Sequence, residues 1–196
     1  MTESHAPEVG MLLGSKSDLP LARKAEDIFA FFGVSWEITI ASAHRTPEDA
    51  SRYAGNAAGR GIRVLIAAAG LSAALPGVVA AHTSLPVIGV PVNAGSLGGI
   101  DALLSVAQMP PGVPVASMGV DGIKNAALFA VRILALTRPE LAEKLSAWSK
   151  KEGEGVRASR QELEGLPTPP DGAFQQDRRR GDDSTLRNHL KGNHSF

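Results

Sequence analysis

Short apolar runs alternate along this chain with longer stretches of helical spacing, and glycine or proline marks most of the joints. Val9–Leu13 is an unbroken apolar run that stops at Gly14, the pattern of a strand buried on both faces. Ser17 or Asp18 can cap a helix over residues 19–32, which Gly33 ends. A second strand is expected at 34–41 and a second helix at 47–60. Thr46 is placed to be its N-cap, Pro47 suits its first turn, Asp49 can answer Thr46 three residues on, and Gly61 closes it. The run 62–69 predicts a third strand ending at Gly70, followed by a small-residue helix over 73–82. Strands at 86–90 and 113–117 bracket a helix that starts at Gly98-Gly99-Ile100-Asp101 and runs to residue 107. Helices at 121–136, strongly apolar, and 139–150 complete the pattern.

Apolar strands that alternate with helices predict a parallel sheet covered on both faces. With right-handed crossovers the expected fold is α/β, a three-layer doubly wound parallel sheet of flavodoxin-like type, in a single domain at residues 8–150. Residues 1–7 read as an N-terminal tail. Composition shifts near Lys150: residues 151–196 hold few large apolar side chains, are rich in charge, Gly and Pro, and include Arg178-Arg179-Arg180 followed by Asp182-Asp183. This polar extension reads as disordered, or else as an arm docked on a neighbouring subunit.

The 196 residues suffice for one good core. Charge is balanced at 20 basic and 20 acidic residues, which gives no sign of a nucleic-acid or membrane partner. The absence of cysteine excludes disulfides, thiolate nucleophiles, iron–sulfur clusters and cysteine-based zinc sites. The polar start, Met1-Thr2-Glu3-Ser4-His5, lacks the charged-then-apolar plan of a signal peptide. Apolar stretches are broken well short of a membrane span of about 20 residues. A soluble, cytoplasmic protein is expected.

The candidate chemistry lies at strand ends. His44 and Arg45 stand in Ser42-Ala43-His44-Arg45-Thr46-Pro47, a loop at the carboxyl end of the second strand, where open α/β sheets bind their ligands. A side chain that titrates near neutral pH beside a permanent cation suits acid–base chemistry on an anionic substrate. After the first strand, Gly14-Ser15-Lys16-Ser17-Asp18 offers two hydroxyls and free amides to an anion, and Asp18 can accept from sugar hydroxyls. Lys16 is expected to face solvent. After the third strand, Gly70-Leu71-Ser72-Ala73-Ala74-Leu75-Pro76-Gly77 leaves room for a ligand, and its amides could face a carboxylate or carbon dioxide. Each loop alone also reads as a helix cap, a solvated turn or tight packing. In a flavodoxin-like order all three converge on one switch point, which favours the ligand reading, and Val87–Val92 with Asn93 can add a wall. His82 reads as a satisfied structural histidine in an apolar helix; His5, His189 and His194 fall in tails. No spacing of metal ligands, no P-loop and no Gly-x-Gly-x-x-Gly is present, so neither a metal nor a nicotinamide cofactor is indicated.

Together, Gly14-Ser15-Lys16-Ser17-Asp18, Ser42-Ala43-His44-Arg45-Thr46-Pro47 and Gln108-Met109-Pro110-x-Gly112-Val113-Pro114-Val115 resemble the family of N5-carboxyaminoimidazole ribonucleotide mutase and its relative phosphoribosylaminoimidazole carboxylase. Pro86-Val87-Ile88-Gly89-Val90-Pro91 and Lys124-Asn125-Ala126-Ala127 match as well, so the resemblance covers residues 8–150. It implies a step of de novo purine synthesis: N5-carboxyaminoimidazole ribonucleotide becomes 4-carboxy-5-aminoimidazole ribonucleotide with no metal, ATP, biotin or other cofactor. By position it implies His44 as general acid–base. Ser15, Asp18 and Arg45 would bind the ribonucleotide, with Ser17 and Ser42 at the phosphate and Asp18 at the ribose. Ala43, Gly70, Leu71 and Ser72 would complete the contacts to substrate and carbon dioxide. It also implies a homo-octamer. Mutases of this family commonly carry a histidine before Leu-Pro-Gly, where this chain has Ala74; the carboxylase branch has Ala-Leu there but commonly Lys after the catalytic histidine, where this chain has Arg45. Direct carboxylation of aminoimidazole ribonucleotide is therefore the alternative. A non-catalytic nucleotide- or flavin-binding module is a third reading that the fold class permits.

Overall fold

Val9–Leu13 has every residue buried, as a strand must when helices cover both of its faces. This strand, β1, lies inside a five-stranded parallel sheet in a computed structural model that describes residues 6–174. The other strands are β2 (Trp36–Ile40), β3 (Val64–Gly70), β4 (Val87–Val92) and β5 (Ala116–Ser117), in the order β2-β1-β3-β4-β5. Val9 pairs with Trp36 on one side and Val64 on the other, and Gly70 pairs with Val92. The chain leaves β1 toward β2 and then crosses back to β3, so the switch point falls between β1 and β3. The flavodoxin-like order is as expected.

Successive strand residues point to opposite faces and build two cores. Met11, Leu13, Val64, Ile66, Ala68, Ile88 and Val90 face α2 (Glu26–Phe32) and α6 (Ile123–Ala135), with α1 (Leu19–Ala22) and the start of α7 (Pro139–Ala158) at the margin. Leu12, Leu65, Ala67, Ala69 and Val87 face α3 (Pro47–Ala57), α4 (Leu75–Ala81) and α5 (Ile100–Ala107). The face that α3 buries is Ala50, Ala54 and Ala57, spaced one helical turn apart and small enough to bring the helix close to the sheet. Gly10 makes a similar allowance: a Cβ there would stand 2.6 Å from the Tyr53 hydroxyl. That hydroxyl instead lies in β1's shadow and donates to Glu37 Oε1 at 2.7 Å.

Several boundaries differ from expectation for local reasons. The first helix starts as a 3-10 turn at Lys16–Asp18 and is divided by another at Arg23–Ala25. The capping side chain is that of Ser15, while Asp18 holds the N-cap position of the α-helix at Leu19 without a cap bond. The helix after β3 starts at Leu75 because residues 71–74 are held in tight turns. Of the expected strand at 113–117 only Ala116–Ser117 joins the ladder; Pro114 has no amide to offer it. The last helix runs past Lys150 to Ala158.

The chain divides into two compact units between Lys150 and Lys151. Within the second, 3-10 turns follow at Ser159–Leu163 and Asp171–Phe174, and the Arg160 guanidinium lies 3.9 Å from the Phe174 ring centre. Residues 1–5 and 175–196, which hold His5, His189, His194 and the Arg178–Asp183 charge run, lie outside the described residues. No helix among the described residues is long and apolar enough to cross a membrane.

Candidate active site

The loop after β1 folds on its own polar side chains. Ser15 Oγ accepts the Ser17 amide at 3.3 Å, and Asp18 Oδ2 accepts the Ser15 amide at 3.1 Å. The Ser17 hydroxyl donates to Asp18 Oδ1 at 3.1 Å. These bonds satisfy amides that a helix start leaves free. They also hold Asp18 in place, the one charged residue among the described residues that is buried. Burial raises its pKa above the ordinary aspartate value, and the bonds from Ser17 and Ser15 pull the other way.

The loop after β2 presents His44 and Arg45. Arg45 is anchored twice within its own turn, its amide and Nε reaching Ser42 Oγ at 3.3 and 3.4 Å. Its Nη2 crosses to the β1 loop and donates to Gly14 O at 3.2 Å. With both Arg45 nitrogens donating to it, the Ser42 hydroxyl keeps its own proton for a ligand. The His44 imidazole is exposed and has no hydrogen-bond partner among the described residues. Thr46 sits at the N-cap position of α3, as expected, but makes no side-chain cap bond; its hydroxyl accepts the Ser42 amide at 2.9 Å instead.

The loop after β3 turns sharply at Leu71, whose φ of +56° lies in the left-handed region that leucine rarely adopts. Bonds from Ala73 N to Leu71 O at 2.8 Å and from Ala74 N to Ser72 O at 2.5 Å keep the segment wound before α4 begins. Gly70 has no room for a side chain, since a Cβ there would stand 2.8 Å from that of Ala94. Ala94 follows β4, whose exit is tied down by Asp121: its Oδ1 accepts the Asn93 amide and its own amide donates to Pro91 O, both at 2.9 Å.

These loops enclose a cavity of about 550 Å³ at the carboxyl edge of the sheet. Ser15, Ser17, Asp18, Ser42, Ala43, His44, Arg45, Gly70, Leu71 and Ser72, all expected from sequence, line it. Lys16 is exposed and is not part of the lining. Gly14 and Ala73, Ala74 and Leu75, from the two strand-end loops already singled out, line it too, while Ala69 and Ala94 also line it and were not expected. Only Ala94 had a signal, as the residue just beyond the fourth strand's expected wall. His82 is satisfied as expected, its Nδ1 lying 2.8 Å from Val78 O, but it is exposed at the end of α4, not set among apolar side chains. Among the described residues no group of three or more His, Cys, Asp or Glu side chains is arranged to hold a metal ion. The volume suits a mononucleotide-sized ligand. Hydroxyls, a guanidinium and a buried carboxylate can hold phosphate and sugar, and an imidazole can move a proton.

Comparison with known proteins agrees with this chemistry. The AIR carboxylase family model matches residues 8–154. The chain is 51% identical over 162 residues to N5-carboxyaminoimidazole ribonucleotide mutase of Pyrococcus horikoshii, covering 83% of this chain and 92% of that one. It is 49% identical over 158 residues to phosphoribosylaminoimidazole carboxylase of Saccharomyces cerevisiae, covering 81% of this chain but 28% of that longer protein. Among solved structures, the crystal structure of Treponema denticola PurE superposes with a TM-score of 0.73 at 31% identity, covering 81% of this chain and 99% of that one.

Proposed function

Because the chain belongs to the AIR carboxylase family, we propose that it is an N5-carboxyaminoimidazole ribonucleotide mutase, an isomerase that moves a carboxylate from nitrogen to carbon within one ribonucleotide. The observation that carries this reading is the convergence of His44, Arg45, Ser15 and Asp18 on one cavity, in a chain about half identical to proteins of that name.

The residues account for the chemistry. The substrate's exocyclic nitrogen bears a carbamate. Protonation of that nitrogen lets the C–N bond break, and its electron pair stays on nitrogen, releasing carbon dioxide and aminoimidazole ribonucleotide. This product is an enamine, nucleophilic at C4, which attacks the carbon of carbon dioxide. Loss of the C4 proton restores the aromatic ring. One proton is supplied and one is recovered, so a single acid–base group can serve both steps with no co-reactant. Histidine is the lining residue type suited to that task near neutral pH, and His44 is the one histidine in the lining. The small walls at Gly70, Ala73 and Ala74 leave space to retain carbon dioxide, and proximity favours its recapture. Arg45, Ser15, Ser17 and Ser42 are assigned to the phosphate and Asp18 to the ribose. We also infer a cytoplasmic homo-oligomer, with the family's octamer as the expected form. Exposed apolar side chains on β2 and α5 support assembly.

A second reading, direct carboxylation of aminoimidazole ribonucleotide, is favoured by Ser72 and Ala74, which place no second histidine in the lining. Product formation from two starting points separates the two. Turnover of N5-carboxyaminoimidazole ribonucleotide without added bicarbonate is expected. Turnover only of aminoimidazole ribonucleotide with saturating bicarbonate means a carboxylase. Turnover of neither, with tight nucleotide or flavin binding, means a binding module.

A further inference from the structure

Thr46 stands where a helix cap belongs and does something else. Its hydroxyl makes no bond to the first amides of α3. It turns back, accepting the Ser42 amide at 2.9 Å and donating to Ser42 O at 3.4 Å, while the Thr46 amide donates to that same carbonyl at 2.9 Å. The turn of residues 42–46 is thereby closed by one backbone bond and by the Thr46 hydroxyl, which alone pairs the Ser42 amide. His44 lies in the middle of it.

The two functional side chains on this turn are held differently. Arg45 has its own anchors at Ser42 Oγ and Gly14 O. The His44 imidazole has none among the described residues, so only the backbone of the turn aims it.

We propose that Thr46 is a positioning residue for His44, its hydroxyl locking the turn that points the imidazole into the cavity. This rests on the assignment of His44 as the acid–base group. Thr46→Val keeps the β-branched shape and removes the acceptor, which leaves the Ser42 amide unpaired and lets the turn relax. A misplacement of about 1 Å at a reacting group costs on the order of 10²-fold in rate. The loss belongs in kcat, because Arg45 and the β1 loop still hold the nucleotide.

The test compares Thr46→Val, Thr46→Ser and His44→Asn in the full-length protein, with N5-carboxyaminoimidazole ribonucleotide as substrate, thermal midpoints as a control and titration with the carboxylated product as a binding probe. Thr46→Val is expected to lose roughly 10- to 100-fold in kcat, with KM and product affinity changed by less than about threefold and the midpoint near that of the wild type. Thr46→Ser restores the hydroxyl and most of the rate. Wild-type kcat in Thr46→Val overturns the proposal. So does a midpoint well below the wild type in that variant, or a loss that serine does not rescue, because either makes the hydroxyl a support for the fold. An active His44→Asn enzyme instead overturns the acid–base assignment itself, whatever the threonine variants do.

Discussion

His44 and Asp18 line the same cavity and answer to opposite physics. His44 is exposed and makes no hydrogen bond among the described residues; Asp18 is buried and held by its neighbours. Replacing His44 with asparagine removes the proton carrier and leaves the fold untouched, since no hydrogen bond among the described residues depends on the ring. Turnover is expected to fall about 10²–10⁴-fold with an unchanged thermal midpoint, measured by single-turnover kinetics and calorimetry. Asp18 makes a prediction about stability. Its folded pKa is raised by burial, so the folded state holds that proton more tightly than the unfolded chain does. Above the ordinary aspartate value of 3.8, unfolding free energy contributed by this group therefore falls as pH rises through the raised folded pKa. Below the ordinary value that penalty is gone. Asp18→Asn removes this slope, and denaturant titrations across the window should show it as a difference between the two pH profiles.

Among the elements, the contact between β1 and α3 tolerates little added volume. Tyr53 on α3 reaches over Gly10 to Glu37 on β2, and Arg60 completes the cluster, its Nη1 at 2.5 Å from Glu37 Oε1 and its guanidinium 4.7 Å from the Tyr53 ring centre. Burial and the Glu37 carboxylate both push the Tyr53 phenol's pKa up, so it stays a donor. Gly10→Ala drives a methyl group into the Tyr53 oxygen and Leu65, and is expected to cost about 1–3 kcal/mol in urea unfolding. The same elements show what could be read from the chain. β1, β3 and β4 were legible because a strand buried on both faces must be apolar at every position, and Val9–Leu13 has no other way to be written. The site was legible because polar residues at three strand ends become neighbours once the strand order is known. The division of the first helix at Arg23–Ala25 was not legible, and nothing in the local contacts explains it. The left-handed Leu71 was hidden because that conformation ordinarily calls for glycine. Thr46 was misread in its bond though not in its place: the cap position follows from Pro47, but the choice between the α3 amides and the Ser42 amide depends on how the 42–46 turn closes in space.

For the molecule as a whole, the sheet's two cores are complete but its margins are not. Ile38 and Ile40 lie on the same face as Met11 and Leu13, yet are 40% and 48% exposed, because the helix layer does not reach across β2. Leu97, Ile100 and Leu104 leave a second apolar stripe along the start of α5. In the proposed assembly such surface is covered by copies of the chain, and binding that favours the folded state raises stability by mass action. The thermal midpoint is therefore expected to climb with protein concentration; a midpoint indifferent to a roughly hundredfold dilution, in a chain that sediments as a monomer, would remove the oligomer from the reading.

The open flank of β2 also sets a race in time. It is an edge strand, with one row of amides and carbonyls that the sheet does not pair, beside two uncovered isoleucines. In the proposed assembly, a newly made chain carries that template until a sister chain covers it, and any other extended segment can reach it first. Ile38→Lys should make the lone chain slower to cloud on refolding and, by the same stroke, slower to find its proper neighbours.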